Sequence, residues 1–145
     1  MKVLYPISGI SPPAAWGSEF IQNLIFSLSQ KGIKATIISP VYIHADPQLS
    51  NWAKKMEKKY DVHFIFLHTP KFIKKRYKFH LAITPVITTI AMLDLLRKER
   101  FDLVHEFTSA PVILIRSALI KLLFKIPSVL TLSVYNDTLL GKSFW

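Results

Sequence analysis

Short, nearly continuous apolar runs alternate along this chain with longer segments whose apolar residues recur at helical spacing. The apolar runs predict five strands, at residues 2–7, 35–38 and 62–67, from residue 103 onward, and at 126–134. The segments between them predict four helices, one after Ser18 and the others at residues 51–60, 84–100 and 111–125. Strands without polar alternation are typical of a parallel sheet covered on both faces. The pattern therefore predicts an α/β fold, a Rossmann-like doubly wound parallel sheet of about five strands.

Capping residues mark several of the predicted boundaries. Ser18 is expected to be the N-cap of the first helix. Gly32 stands where a glycine commonly closes a helix. Thr84 followed by Pro85 predicts a helix start, because proline is favoured in the first turn. Pro40 is expected to end the second strand, since proline cannot donate to a sheet.

Composition and charge narrow the class of protein. The chain has 145 residues, enough for one domain with a hydrophobic core, and half of them are apolar. It has no cysteine, which excludes disulfides and thiolate metal sites and fits a reducing cytoplasm. No stretch reaches the roughly 18 apolar residues of a membrane span. A net charge of +10 with a mean hydropathy of +0.30 favours a peripheral protein on the anionic inner membrane face; an ordinary lysine-rich cytoplasmic domain is the alternative.

The loop after the first strand is where a doubly wound sheet binds ligands. It reads SGISPPAAWGSE over residues 8–19 and lacks the GxGxxG pattern, which argues against a dinucleotide cofactor. Trp16 and Gly17 precede the backbone amides of Ser18 and Glu19 at a helix N-terminus, a place that favours a phosphate. The alternative is that Glu19 only complements the helix dipole.

Three segments carry a resemblance to a known family. The first joins a Pro-Pro loop, the Gly-x-Glu of Gly17 and Glu19, and KGIKATIISP at residues 31–40. The second is FDLVHEF at residues 101–107, similar to a D-x-V-H-x-H strand. The third is IPSVLTLS at residues 126–133, similar to an I-P-x-V-x-T-x-H strand. In this order and spacing the chain resembles the N-terminal domain of family-4-like glycosyltransferases, which have the GT-B fold.

The resemblance implies a function in sugar transfer. Such enzymes move a sugar from a nucleotide-sugar to a soluble or membrane-linked acceptor with retention of configuration, and they need no further cofactor. The acceptor lies mainly on the N-terminal domain and the donor on the C-terminal one. Residues 1–145 would be the acceptor-side domain, incomplete at its C-terminus because Phe144 and Trp145 end it without a packing partner. We therefore expect no turnover by this chain without a donor-binding half or partner chain.

The alternative is a non-catalytic subunit of a split glycosyltransferase, one that presents the acceptor or anchors the enzyme to a membrane. Three departures from the family pattern bear on it. Trp16 stands before the single Gly17 where the family has two glycines, Phe107 replaces the second histidine of its strand, and Ser133 replaces the last one.

His105 and Ser133 are the catalytic candidates that the resemblance implies. Serine cannot act as a base near neutral pH, whereas histidine can. The alternative for His105 is a core histidine bonded to backbone. Because side chains alternate along a strand, Glu106 is expected to face away from His105 and Phe107. The other histidines lack the spacing of ligands, so we propose no metal site.

A basic and aromatic segment precedes the third helix. Its candidate membrane-contact residues are Lys71, Phe72, Lys74, Lys75, Arg76 and Lys78. If this segment is helical, its lysines share one arc, as in an interfacial helix on anionic lipid. A solvated loop is the alternative. RNA binding is a third hypothesis, although the high hydropathy of the chain disfavours nucleic acid as a partner.

Overall fold

A computed structural model describes residues 1–7, 19–41, 47–68, 77–107 and 111–131 of this protein. Side-chain surroundings are described for residues 1–7, 21–40, 49–67, 83–107 and 113–131. Strands and helices alternate along the chain as β1 Lys2–Pro6, α1 Glu19–Gln30, β2 Lys34–Val41, α2 Pro47–Lys59, β3 Val62–His68, α3 Tyr77–Lys98, β4 Leu103–Phe107, α4 Pro111–Phe124 and β5 Ser128–Thr131.

The five strands form one parallel sheet in the order β3-β2-β1-β4-β5. β1 is central, with Val3 opposite Ala35 of β2 on one side and opposite Leu103 of β4 on the other. Along the chain, the strands first extend from β1 to β3 in one direction and then continue from β4 to β5 on the far side of β1. The predicted fold class, a Rossmann-like doubly wound sheet, is confirmed.

One side of the sheet is covered by α1 and α2. Val3 and Tyr5 of β1 share a core there with Ile25 of α1, Leu49 of α2 and Phe64 of β3. Alternate residues along each strand point to this side, as the two-residue period of a strand requires. This core extends as far as Leu103 and Phe107 of β4, which are only partly buried.

The other side of the sheet is covered by α3 and α4. Leu4 of β1, Ile38 of β2 and Val104 of β4 pack there with Met92 of α3 and Ile120 of α4. All five side chains are at most 1% exposed. The helices therefore lie on both faces of the sheet, which makes the fold doubly wound.

Gly32 ends α1 as predicted. Its amide donates to the carbonyl of Ser29 over 2.9 Å, and the amide of Ile33 donates to that of Leu28 over 3.2 Å. Gly32 itself has a φ of +82°. This pair of bonds around a left-handed residue is a Schellman motif, which satisfies carbonyls that the helix end leaves open.

The predicted start of the third helix is wrong. α3 begins at Tyr77, and Pro85 lies inside it rather than in its first turn. The hydroxyls of Thr88 and Thr89 donate to the carbonyls of Thr84 and Pro85, over 2.8 and 2.7 Å. Packing of one helix face against the sheet outweighs the hydrogen bond that proline removes, so the proline does not mark the boundary.

The expectation that Pro40 ends the second strand is also wrong. β2 continues to Val41, and Pro40 pairs with Leu67 of β3. Ile38 accepts a bond from the amide of Ile7 on the β1 side. The backbone nitrogen of Pro40, two residues further along β2, points to the same edge of the strand, towards β1. It lies beyond the last residue of β1, so no β1 residue stands opposite it. Its missing amide hydrogen therefore costs the sheet no bond to β1.

The remaining predicted elements are confirmed with shifted ends. α2 begins at Pro47 rather than at residue 51. β5 begins at Ser128 rather than at 126, and residues 132–134 of the predicted strand lie outside the described part. Ser18, the predicted N-cap, also lies outside it. Among the described residues, none of the helices is long and apolar enough to cross a membrane.

We expect Gly32→Ala to lower the free energy of unfolding by about 1–2 kcal/mol, because a β-carbon is strained at positive φ. A β-carbon there would meet no atom within 4 Å, so backbone strain alone is tested. Urea unfolding measures the change, with Gln30→Ala at the exposed last residue of α1 as the control. Equal stability of Gly32→Ala and the wild type would contradict the assignment.

Candidate functional site

The candidate site lies where the strand order reverses, at the carboxyl ends of β1 and β4. These neighbouring strands send the chain to opposite faces of the sheet, through α1 after β1 and through α4 after β4. In open parallel sheets a crevice forms at this position, and ligands bind there. Pro6 ends β1 and Phe107 ends β4.

Of the two catalytic candidates, His105 and Ser133, only His105 lies within the described residues. It lies in the middle of β4, half-buried, with its side chain on the α1 and α2 side of the sheet. Its Nε2 is 2.8 Å from Oγ1 of Thr131, the last residue of β5. Thr131 pairs in register with Phe107, so the hydrogen bond runs diagonally between the two strands.

Two aromatic rings enclose the imidazole. Phe107 stacks on His105 with ring centres 4.3 Å apart, and Tyr5 of β1 lies 5.6 Å from it in a tilted arrangement. Tyr5 and Phe107 are themselves stacked at 6.2 Å. The three rings and the Thr131 hydroxyl form what we call the His105 cluster: Tyr5, His105, Phe107 and Thr131. Aromatic surface combined with a few hydrogen-bonding groups is typical of small-molecule sites.

Burial sets the protonation of this cluster. Desolvation lowers the pKa of His105 below its ordinary value of 6.5, so the ring is neutral at neutral pH. Desolvation also raises the pKa of Tyr5 to about 12, so its phenol keeps its proton. The cluster is therefore uncharged. A neutral imidazole has one nitrogen that can accept a proton, which is the property a general base needs.

Glu106 faces the opposite side of the sheet, as predicted. It is fully buried and forms an ion pair with Arg116 of α4, which is 4% exposed. Nε of Arg116 lies 3.2 Å from each carboxylate oxygen, and its Nη2 donates to Oε2. Ser117 adds a bond of 3.1 Å from its hydroxyl to Oε1. The forked geometry is the one in which arginine binds carboxylates most strongly.

A small pocket opens beside this ion pair, at the carboxyl ends of β1 and β4. Its volume is about 40 Å³, and Pro6, Thr84, Thr88, Phe107 and Arg116 contribute to its lining. That is room for a water or two and not for a sugar ring. The His105 cluster lies on the other face of the sheet.

Sequence reasoning found part of this site and missed part of it. It named His105 but paired it with Ser133, which lies outside the described residues. Among the described residues, the hydrogen-bond partner of the His105 ring is Thr131. Thr131 and Ser133 are two positions apart on the predicted strand, so their side chains are expected to face the same side of the sheet. This two-residue period was the signal that could have identified Thr131. Tyr5 was missed because the sequence does not indicate that β1 pairs with β4, and this pairing is what brings Tyr5 beside His105.

The other predicted site residues fall largely outside the described part. Trp16, Gly17 and Ser18 lie outside it, and Glu19 is described only as the first residue of α1, without its side chain. Of the basic segment, the residues outside the described part are Lys71, Phe72, Lys74, Lys75 and Arg76. Lys78 belongs to the first turn of α3, and its side chain is not described.

Within the described ranges, no three His, Cys, Asp or Glu side chains group so as to hold a metal ion. No known protein-family model matches this sequence, and no curated protein matches it either. The resemblance to glycosyltransferases thus rests on the three sequence segments alone.

We expect Glu106→Gln to lower the free energy of unfolding by about 3–5 kcal/mol, because it leaves the Arg116 guanidinium buried without its anion. Urea unfolding measures the loss. Asp94→Asn removes the exposed partner of Lys98 and serves as the control, with an expected effect of about 0–0.5 kcal/mol. A Glu106→Gln protein as stable as this control would show that the ion pair is not needed for folding.

The lowered pKa of His105 predicts a pH dependence. Below 6.5 the unfolded chain binds a proton at this position more readily than the folded one, so the stability that His105 contributes is lost as the pH falls. We expect the wild type to lose stability on acidification more steeply than His105→Gln, which cannot titrate. NMR titration of the His105 ring gives the midpoint directly, and a midpoint at or above 6.5 would refute the assigned burial effect.

Proposed function

We propose that this chain is the acceptor-side domain of a retaining glycosyltransferase of the GT-B type. The observation that carries the proposal is the His105 cluster, a neutral imidazole with a hydroxyl partner between aromatic rings at the reversal of strand order. The three family-like sequence segments support it, because the second and third of them contribute His105 and Thr131.

The cluster suits an acceptor that carries hydroxyl groups. The rings of Tyr5 and Phe107 offer flat apolar surface for the carbon–hydrogen face of a sugar or polyol. Nε2 of His105 is hydrogen-bonded to the hydroxyl of Thr131. We propose that Nδ1 accepts a hydrogen bond from a hydroxyl of the acceptor. Hydrogen bonds of this kind reject analogues without the hydroxyl much more strongly than apolar contacts do.

In the proposed transfer, the acceptor oxygen forms a bond to the anomeric carbon while the bond from that carbon to the nucleoside diphosphate breaks. The proton of the acceptor hydroxyl passes to His105, whose neutral ring can take it up. Ser133 is proposed to add a hydrogen bond beside it. The nucleotide-sugar is proposed to lie on a donor-binding half or partner chain, with the amides near Gly17, Ser18 and Glu19 next to its phosphates.

A second candidate function is a non-catalytic subunit that presents the acceptor to a separate donor-binding chain. Phe107 favours this alternative. It fills the position of the second family histidine with a ring that stacks on Tyr5 and His105 and cannot exchange protons. Binding of an acceptor is common to both functions, whereas proton uptake by His105 belongs to the transferase alone.

Acceptor binding can be tested by NMR on the purified chain. Monosaccharides, a cyclic polyol and a glycolipid headgroup are titrated while the histidine ring signals are followed. We expect His105 to shift with at least one hydroxyl-rich compound and the exposed His63 of β3 to stay unchanged. His105→Ala should abolish the binding, and His63→Ala should keep it. No response from His105 to any of these compounds would refute the acceptor site.

Sugar transfer is measured separately, with radiolabelled nucleotide-sugars and any acceptor that binds. The chain alone is expected to transfer no sugar, and a rate like that of intact glycosyltransferases would disprove the dependence on a donor-binding half. Once such a half is added, loss of transfer in His105→Gln with acceptor affinity retained supports the transferase. Unchanged transfer in that variant supports the presenting subunit.

A further inference from the structure

Helix α4 exposes an unusually apolar outer surface. Five large aliphatic side chains point to solvent, Leu114 at 57% exposure, Ile115 at 63%, Leu119 at 39%, Leu122 at 76% and Leu123 at 59%. We call these five residues the α4 face. A helix on the surface of a soluble domain normally turns charged and polar residues outward. Here Arg116, one of the two charged residues of this helix, points inward instead.

The α4 face is continuous. At about 100° per residue, its five positions and the exposed Ala118 between them cover roughly half of the helix circumference. The neighbouring helix α3 lies on the same side of the sheet and exposes Val86 at 53% and Ile90 at 63%. Contiguous apolar surface of this kind marks a place of interaction.

Basic residues adjoin the apolar surface where α3 and α4 end. Lys121 lies in the last turn of α4, Lys125 follows that helix, and Arg97 and Arg100 are exposed at the end of α3. Helix α4 contains no acidic residue. Near the end of α3, Asp94 is bonded to Lys98 and Glu99 to Lys2. The charge around the apolar surface is therefore positive, like the +10 of the whole chain.

We propose that the α4 face docks onto the surface of a membrane that contains anionic lipid. Aliphatic side chains bordered by lysine and arginine match both parts of such a surface, the acyl boundary and the negative headgroups. A second copy of the chain matches only the first part, because it would bring two sets of basic residues together. The α4 face also contains none of the aromatic residues that protein interfaces favour.

This inference goes beyond the proposed function and does not depend on it, since vesicle binding needs neither a donor nor an acceptor. It also differs from the hypothesis on the basic segment at residues 71–78, because it concerns a different surface. A matched set of variants separates the two.

The apolar contribution is tested by co-sedimentation of the purified chain with vesicles of phosphatidylcholine, with and without phosphatidylglycerol. We expect binding to the anionic vesicles. The double variant Ile115→Gln, Leu122→Gln should bind roughly tenfold or more weakly, since each side chain loses its transfer into the lipid. Ile115→Met, Leu122→Met keeps the apolar character and should bind like the wild type. Unfolding curves verify that both variants are folded.

The charge contribution is tested with two double variants of equal charge. Arg97→Gln, Lys121→Gln should weaken binding about fivefold for each residue, as about 1 kcal/mol per basic residue implies. Lys54→Gln, Lys55→Gln removes the same charge from α2, on the other side of the sheet, and should bind as the wild type does.

Three results would overturn the proposal. One is a wild type that binds no anionic vesicle. Another is equal binding by the Ile115→Gln, Leu122→Gln variant and the wild type, with all binding lost when Lys71, Lys74, Lys75 and Lys78 become glutamine. The third is a dimer, found by analytical ultracentrifugation, that this double variant dissociates while vesicle binding is unaffected, which would assign the α4 face to a second copy.

Discussion

A carboxylate with no exposed surface needs a cation beside it, and in this fold that requirement is met between β4 and α4. Glu106 is fully buried, and the fork of Arg116 reaches both of its oxygens. Because side chains alternate along a strand, an inward Glu106 turns His105 and Phe107 to the opposite face. The same ion pair holds α4 against the sheet in one orientation, which leaves its leucines outward. Both the His105 cluster and the α4 face thus depend on the direction of one glutamate.

The fold was predictable because its elements follow from local patterns. The apolar runs marked all five strands, and Gly32 marked the end of α1. The errors came where packing between elements outweighs local preference. Pro85 looks like a helix start in any single-sequence argument, yet α3 continues through it. Pro40 looks like a strand end, yet it pairs with β3.

The site was less predictable than the fold, because it is made by contacts between strands that are distant in sequence. His105 could be chosen from its motif, but Tyr5 reaches it only through the pairing of β1 with β4. Arg116 was visible as a charge in an apolar helix, and its partner could not be read without the packing of α4 on the sheet. The order of strands, which sequence patterns do not encode, decides which of these side chains meet.

The position of β5 has a consequence for how the site behaves in time. β5 is the outermost strand next to β4 in the described sheet, it has four residues, and its last one holds His105. An outer strand is the part of a sheet that opens by local fluctuation at the lowest free energy, while central strands such as β1 exchange their amide hydrogens last. Fraying of β5 would release the imidazole from Thr131 without disturbing β4. The histidine is therefore held by an outer strand of the described sheet, and a ligand that bridges both strands would slow amide exchange in β5 first.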